Sequence, residues 1–117
     1  MVMRMKVSSE KKEKYTLISV KGTLSIENIS PFEALLNKTV EEKSHILIDL
    51  SELTFIDSSS LGIIVVYFTK SERNERNFAL LNVNPDIMQM FRITGLDKRI
   101  KIFRDDREAE AALGLGS

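Results

Sequence analysis

The residues best able to do chemistry are Asp57-Ser58-Ser59-Ser60, one carboxylate followed by three hydroxyls, in a chain with a single histidine, His45. A serine hydroxyl can accept a phosphoryl group, attack an ester if a base removes its proton, or cap a helix. A hydrolytic dyad would need His45 beside Ser58. His45 precedes the apolar run Ile46–Leu50 and Ser58 follows it. Five strand residues alone span about 16 Å, so no dyad is expected and His45 reads as a solvated loop residue. Gly-x-Ser-x-Gly is absent, as are metal-ligand spacing, a carboxylate cluster and a phosphate-cradling glycine loop. The chain has no cysteine, which excludes disulfides and thiolate sites. No catalytic residue, cofactor or metal is expected.

Positioning these hydroxyls requires a strand before them and a further element after them. Ile46-Leu47-Ile48-Asp49-Leu50 has the length and β-branching of a buried strand. Ile63–Phe68 is apolar and has strand propensity. However, Phe78–Leu81 reads as the next strand, and a parallel return needs a crossover of a dozen or more residues, which favours a helix. A strand–loop–helix unit sets its loop at the carboxyl edge of a sheet, where helix N–H groups favour an anion.

Upstream, residues 2–7 and Tyr15–Val20 read as a hairpin, with Ser8–Lys14 as the turn and Thr23–Asn28 as a connection. Ser30-Pro31-x-Glu33 is a helix start with Ser30 as N-cap and Glu33 completing a capping box. That helix ends near Glu42–Ser44. Downstream, Asn84-Pro85 opens a helix that Gly95 closes. Ile100–Phe103 is a last strand, and Asp105 or Asp106 caps a final helix to Ala112. Residues 113–117 read as a frayed tail.

At 117 residues the chain is expected to be one domain, 1–117, with its core at about 5–112. Its net charge is zero, so no nucleic-acid footprint is expected. Met1–Lys6 lacks the apolar region of a signal peptide, and the run 63–68 is too short to span a bilayer. A soluble cytoplasmic protein without membrane partners is expected.

Asp57-Ser58-Ser59-x-Leu61-Gly62 after a hydrophobic strand resembles the STAS domain of bacterial anti-sigma factor antagonists, whose usual pattern is Asp-Ser-Ser/Thr-Gly-Leu-Gly. Phe91-x-x-x-Gly95-Leu96 is similar to a second segment of that family, and the likeness covers roughly residues 5–112. It implies an α/β fold, a single STAS-type domain with a mixed sheet of four or five strands and helices mainly on one face. It also implies a helix after Ser58. The implied function is anti-sigma factor antagonism by a non-enzyme. The unphosphorylated protein would bind an anti-sigma factor serine kinase and so free the sigma factor. Phosphorylation of Ser58 would end this, and a serine phosphatase would restore it. The alternative is a STAS interaction module in a stressosome-like or lipid-transport assembly. Two positions depart from the family: Ser60 stands where Gly is usual, strained only if φ is positive there. Ser25 stands where an acid is usual, with Glu27 or Asn28 as substitutes.

Each candidate has a plainer reading. Ser58 is the phosphoacceptor by resemblance and an N-cap by spacing, with Ser59 and Ser60 as alternative acceptors. Asp57 either caps the helix or orients the loop. At 100° per residue, Leu61, Ile64, Val65 and Phe68 share the core-facing side of the helix. Ile63, Val66 and Tyr67 then face outward, either as a docking patch together with Asp57, Ser59 and Ser60 or as a face covered by another helix. A monomer is expected.

Overall fold

The computed structural model describes residues 4–116. In chain order it forms β1 (Met5–Lys11), β2 (Tyr15–Leu24), α1 (Ser30–Glu41), β3 (His45–Ile56), α2 (Ser58–Arg73) and β4 (Phe78–Leu81). Then come α3 (Pro85–Thr94), a short 3-10 turn (Leu96–Lys98), β5 (Lys101–Phe103) and α4 (Asp106–Leu113). The five strands lie in sequence order in one sheet. Only β1 runs antiparallel, so the sheet is mixed as expected.

Side-chain alternation along the strands divides the apolar residues between two faces. Ile18, Val20, Ile46 and Ile48 pack under Phe32 and Leu36 of α1, Ile64 of α2, and Ile87 and Phe91 of α3. The intervening Tyr15, Leu47, Ala79 and Leu81 meet Ala109 of α4 and Leu115 on the other face. Three helices therefore share one face. Each fully buried Ile, Leu or Phe contributes about 1.5–3 kcal/mol relative to exposure, which explains why the larger cluster anchors the strand that carries Asp57 at its end.

Several boundaries differ from the sequence-based reading, and pairing partners explain most of them. β1 continues through Ser8–Lys11, read as a turn, because these residues pair with Thr16–Ser19. The beginning of the strand placed over residues 2–7 lies outside the described residues. β2 runs on to Leu24 through two register shifts. Gly22 sits there at φ +89°, where any Cβ would collide with the Arg4 carbonyl. β3 extends past Leu50 to Ile56, its outer half paired with β2 alone, because β4 ends at Leu81 opposite Asp49. Ser30 is not the cap of α1. Ile29 occupies that position with helical torsions and no side-chain cap bond. The preceding turn is closed by Asn28, which accepts from Ser25 N–H and donates to the Thr23 carbonyl, both at 2.9 Å.

The other caps fall where the local signals place them. Asn84 accepts from Ile87 N–H at 3.0 Å, Gly95 adopts φ +77°, and Asp105 accepts from Glu108 N–H at 2.9 Å. The tail is not frayed at Leu115. Gly114 turns left-handed, Leu115 N–H bonds the Glu110 carbonyl at 3.0 Å, and its side chain is buried against Tyr15 and Leu47.

Candidate functional site

The site lies where β3 passes into α2. Asp57 is the N-cap, with one carboxylate oxygen accepting from Ser60 N–H at 2.8 Å. The other accepts from Ile26 N–H at 3.0 Å, in the β2–α1 connection. Its own N–H bonds the Leu24 carbonyl at 3.1 Å. Asp57 thus performs both roles read from the sequence, capping α2 and tying two loops together. Partial burial pushes its carboxyl up, but hydrogen bonding from Ser60 and Ile26 outweighs this and holds it below the usual carboxylate range.

Ser58 is the first residue of α2, and both Ser58 and Ser59 are exposed. Ser60 is helical, so the missing glycine introduces no positive φ. It is also fully buried, and its hydroxyl has no hydrogen-bond partner. This corrects its assignment as a partner contact or alternative acceptor: the first turn of α2 points Ser60 inward.

Tyr67 needs the same correction. The buried stripe of α2 is Ser60, Leu61, Ile64, Tyr67 and Ser71, rotated slightly from the expected 61/64/65/68. Tyr67 is 5% exposed, and its hydroxyl donates to Glu33 of α1 at 3.2 Å. Burial and the Glu33 carboxylate raise its pKa. Phe68 instead sits edge-on to Phe78, ring centres 5.9 Å apart, while Val65 and Phe68 are only half-buried. Of the three outward residues read from the sequence, Val66 is 46% exposed and Ile63 half-buried.

Sequence reading missed the exposed Ile26 and Phe55, at 61% and 45%. Ile26 is positioned by Asp57 itself, and Phe55 lies two residues before it. Periodicity could not reveal either, since Ile26 lies in a turn and Phe55 on a strand half that lacks a second neighbour. A groove of about 260 Å³ also begins at Ser58, with Leu61, Gly62 and Val65 on one wall. Thr94, Gly95, Leu96 and Arg99 form the other wall. Glu27 is exposed, while Asn28 is engaged in closing its turn.

His45 begins β3 rather than lying in a loop. It is half-buried, and its Nδ1 accepts from Asn77 N–H at 2.9 Å. Desolvation, with Arg76 nearby, lowers its pKa. The whole of β3, about 36 Å at strand rise, separates it from Ser58, so the two do not come together. Among the described residues no group of three His, Cys, Asp or Glu could hold a metal, and no helix is long and apolar enough to cross a membrane.

The model of the STAS domain family matches residues 6–109. The chain belongs to the STAS domain family. A Staphylococcus epidermidis relative named anti-sigma-B factor antagonist is 29% identical over 80 residues, covering 68% of this chain and 74% of that protein. An anti-sigma factor antagonist from Mycobacterium paratuberculosis has the same fold, with TM-score 0.85 at 22% identity and 93% of both chains covered. The Bacillus cell fate determinant SpoIIAA in its phosphorylated form superposes with TM-score 0.72 at 20% identity, over 92% of this chain and 99% of that one. The Asp57–Gly62 segment is therefore the β3–α2 junction of a STAS domain.

Proposed function

We propose that this STAS domain is an anti-sigma factor antagonist, a binding protein controlled by phosphorylation at Ser58. The observation that carries the reading is an exposed hydroxyl at the first position of a helix whose cap is already supplied by Asp57. Ser58 is thus free to react without removing the bond that starts α2. The names of the curated relatives support the same reading.

In the free form, the surface around Ser58, with Ser59, Ile63, Val66, Ile26 and Phe55, contacts an anti-sigma factor serine kinase in the cytoplasm. The kinase then releases its sigma factor. Phosphorylation follows when Ser58 Oγ attacks the γ-phosphorus of the kinase's ATP. A new O–P bond forms, ADP departs, and the hydroxyl proton passes to the kinase's base. The product carries about −1.5 to −2 charges at neutral pH. The N-terminal N–H groups of α2 tolerate that charge within the domain. A surface fitted to a neutral hydroxyl does not, and Asp57 nearby adds to the negative potential. Binding is lost while the fold is kept, until a serine phosphatase removes the phosphate.

The test is incubation with the cognate kinase and ATP, followed by phosphosite mapping. Modification at Ser58 is expected. Phosphate on Ser59 with Ser58 unmodified would overturn the assignment.

A further inference from the structure

The exposed edge of β1 is the feature that the Ser58 site leaves unused. β1 is the first strand of the sheet, and its far side pairs with no other strand among the described residues. Its register with β2 pairs Met5 with Gly22 and Lys11 with Thr16. Lys12 N–H bonds the Tyr15 carbonyl, and Thr23 N–H bonds the Arg4 carbonyl. Antiparallel ladders alternate, so the backbone groups of residues 4, 6, 8, 10 and 12 face β2. Those of Met5, Val7, Ser9 and Lys11 face the open edge. Side chains alternate the other way: Met5 and Val7 pack against the main core, which turns Lys6, Ser8 and Glu10 to the opposite face.

We infer that this edge pairs with the β1 edge of a second copy of this chain, antiparallel and two-fold symmetric about Ser8. In that register Met5 meets Lys11, Val7 meets Ser9, and Ser8 meets its own counterpart. The outward-facing backbone groups of each copy then fall opposite those of the other. Lys6 falls opposite Glu10, twice by symmetry, at the non-hydrogen-bonded positions where side chains approach most closely. Charges on an edge strand usually deter pairing. Within β1 the two signs are placed symmetrically about Ser8, so a second copy in this register is attracted there; the like-charged Arg4 and Lys12 fall opposite each other only beyond the strand ends, which keeps the association weak. Glu10 also touches Lys12 at 3.0 Å, but that pair is exposed and contributes little. An open groove of about 460 Å³ borders the same stretch, lined by Met5, Val7 and Pro31 with Lys6, Ser8 and Lys21.

The contact is one seven-residue strand per copy. Stable interfaces bury roughly 1,200–2,000 Å², and a single strand pair falls below that range, among weak and transient contacts. The dimer is therefore concentration-dependent, and it departs from the monomer expected from sequence. β1 lies two strands from β3, so pairing leaves the Ser58 loop open.

Sedimentation equilibrium of the full chain, from about 1 μM to about 1 mM, the range of weak association, tests the inference. A reversible monomer–dimer equilibrium is expected. Lys6→Glu or Glu10→Lys alone should weaken it by roughly tenfold, since two cross-strand pairs turn repulsive. The double swap should restore it. Because the chain has no cysteine, Ser8→Cys should give a disulfide-linked dimer on mild oxidation, and Ser9→Cys far less of one. A chain that stays monomeric throughout, single swaps without effect, or Ser9→Cys linking as readily as Ser8→Cys would overturn the inference.

Discussion

At the start of β3, Ser44 and Thr16 share a hydrogen bond of 2.9 Å, the Ser44 hydroxyl lies 2.9 Å from the His45 carbonyl, and His45 Nδ1 holds Asn77 N–H. At its end, Asp57 is likewise engaged, but Ser58 and Ser59 stand exposed. Both ends carry hydroxyls and one ionisable side chain, and only one end leaves its hydroxyls exposed. The direction of the parallel strands accounts for the difference. The chain enters β3 from α1, and the polar groups there are used to seat β2, β3 and β4 against one another. It leaves β3 into α2, whose first N–H groups point outward. A single cap, Asp57, secures that junction and frees the residues next to it.

The largest expected effect is on binding. On the proposed function, Ser58→Asp places a fixed negative charge where the partner would meet a hydroxyl. Affinity for the cognate kinase should fall about tenfold to hundredfold, or roughly 1.4–2.8 kcal/mol, as measured by calorimetry. His45→Ala, at the other end, should leave affinity unchanged. Equal losses from both would erase the distinction between the ends.

Asp57→Ala comes next. It removes the cap of α2 and leaves Ile26 N–H without its acceptor, at a cost of about 0.5–2 kcal/mol. A fall of several degrees in Tm should accompany it. Asp57→Asn, which keeps an acceptor oxygen, should recover much of that loss. If Asp57→Ala melts like the parent, the clamp between the two loops does not hold the site.

How much of this was legible follows from how local each determinant is. The helix-terminating roles of Asn84, Gly95, Asp105 and Asp57 are set within a few residues of each, and all four take the structural roles their types suggest. The lengths of β1, β2 and β3 depend on pairing with another strand, which the residues of one segment do not show, so Ser8–Lys11 looked like a turn and Ser51–Ile56 did not look like strand. The rotation of α2 depends on Tyr67 reaching Glu33, 34 residues away. A helical wheel of α2 alone could not contain it. The buried Ser60 and the anchored Leu115 were hidden for the same reason: each is placed by a neighbour from another element.

Acid should open the two ends in sequence. Burial and Arg76 lower the folded-state pKa of His45 below 6.5. The folded form thus favours neutral imidazole, and its contribution is present above pH 6.5 and lost as pH falls through the folded value. Hydrogen bonding lowers that of Asp57 below 3.8, so its contribution is present above pH 3.8 and is lost only at lower pH. Urea midpoints near pH 7, about 5 and about 3 should show two separate declines. His45→Gln, able to accept the same N–H, should remove the first decline and keep the second. A single decline unaffected by this substitution would place the acid sensitivity elsewhere.

The smallest effect is the most discriminating between the two ends. Ser58→Ala removes an exposed hydroxyl from a helix already capped by Asp57, so stability should stay within about 0.5 kcal/mol of the parent. Ser44→Ala removes the hydroxyl that links Thr16 to the His45 carbonyl, and should cost about 1 kcal/mol. Chemically the two substitutions are the same. Chevron or equilibrium urea curves for the pair separate a hydroxyl that holds the fold from one that the fold presents. If Ser58→Ala proved the costlier, Ser58 would be part of the helix start after all. The proposed loss of partner binding on phosphorylation would then have to be read as local unfolding of α2 rather than as charge on an intact surface.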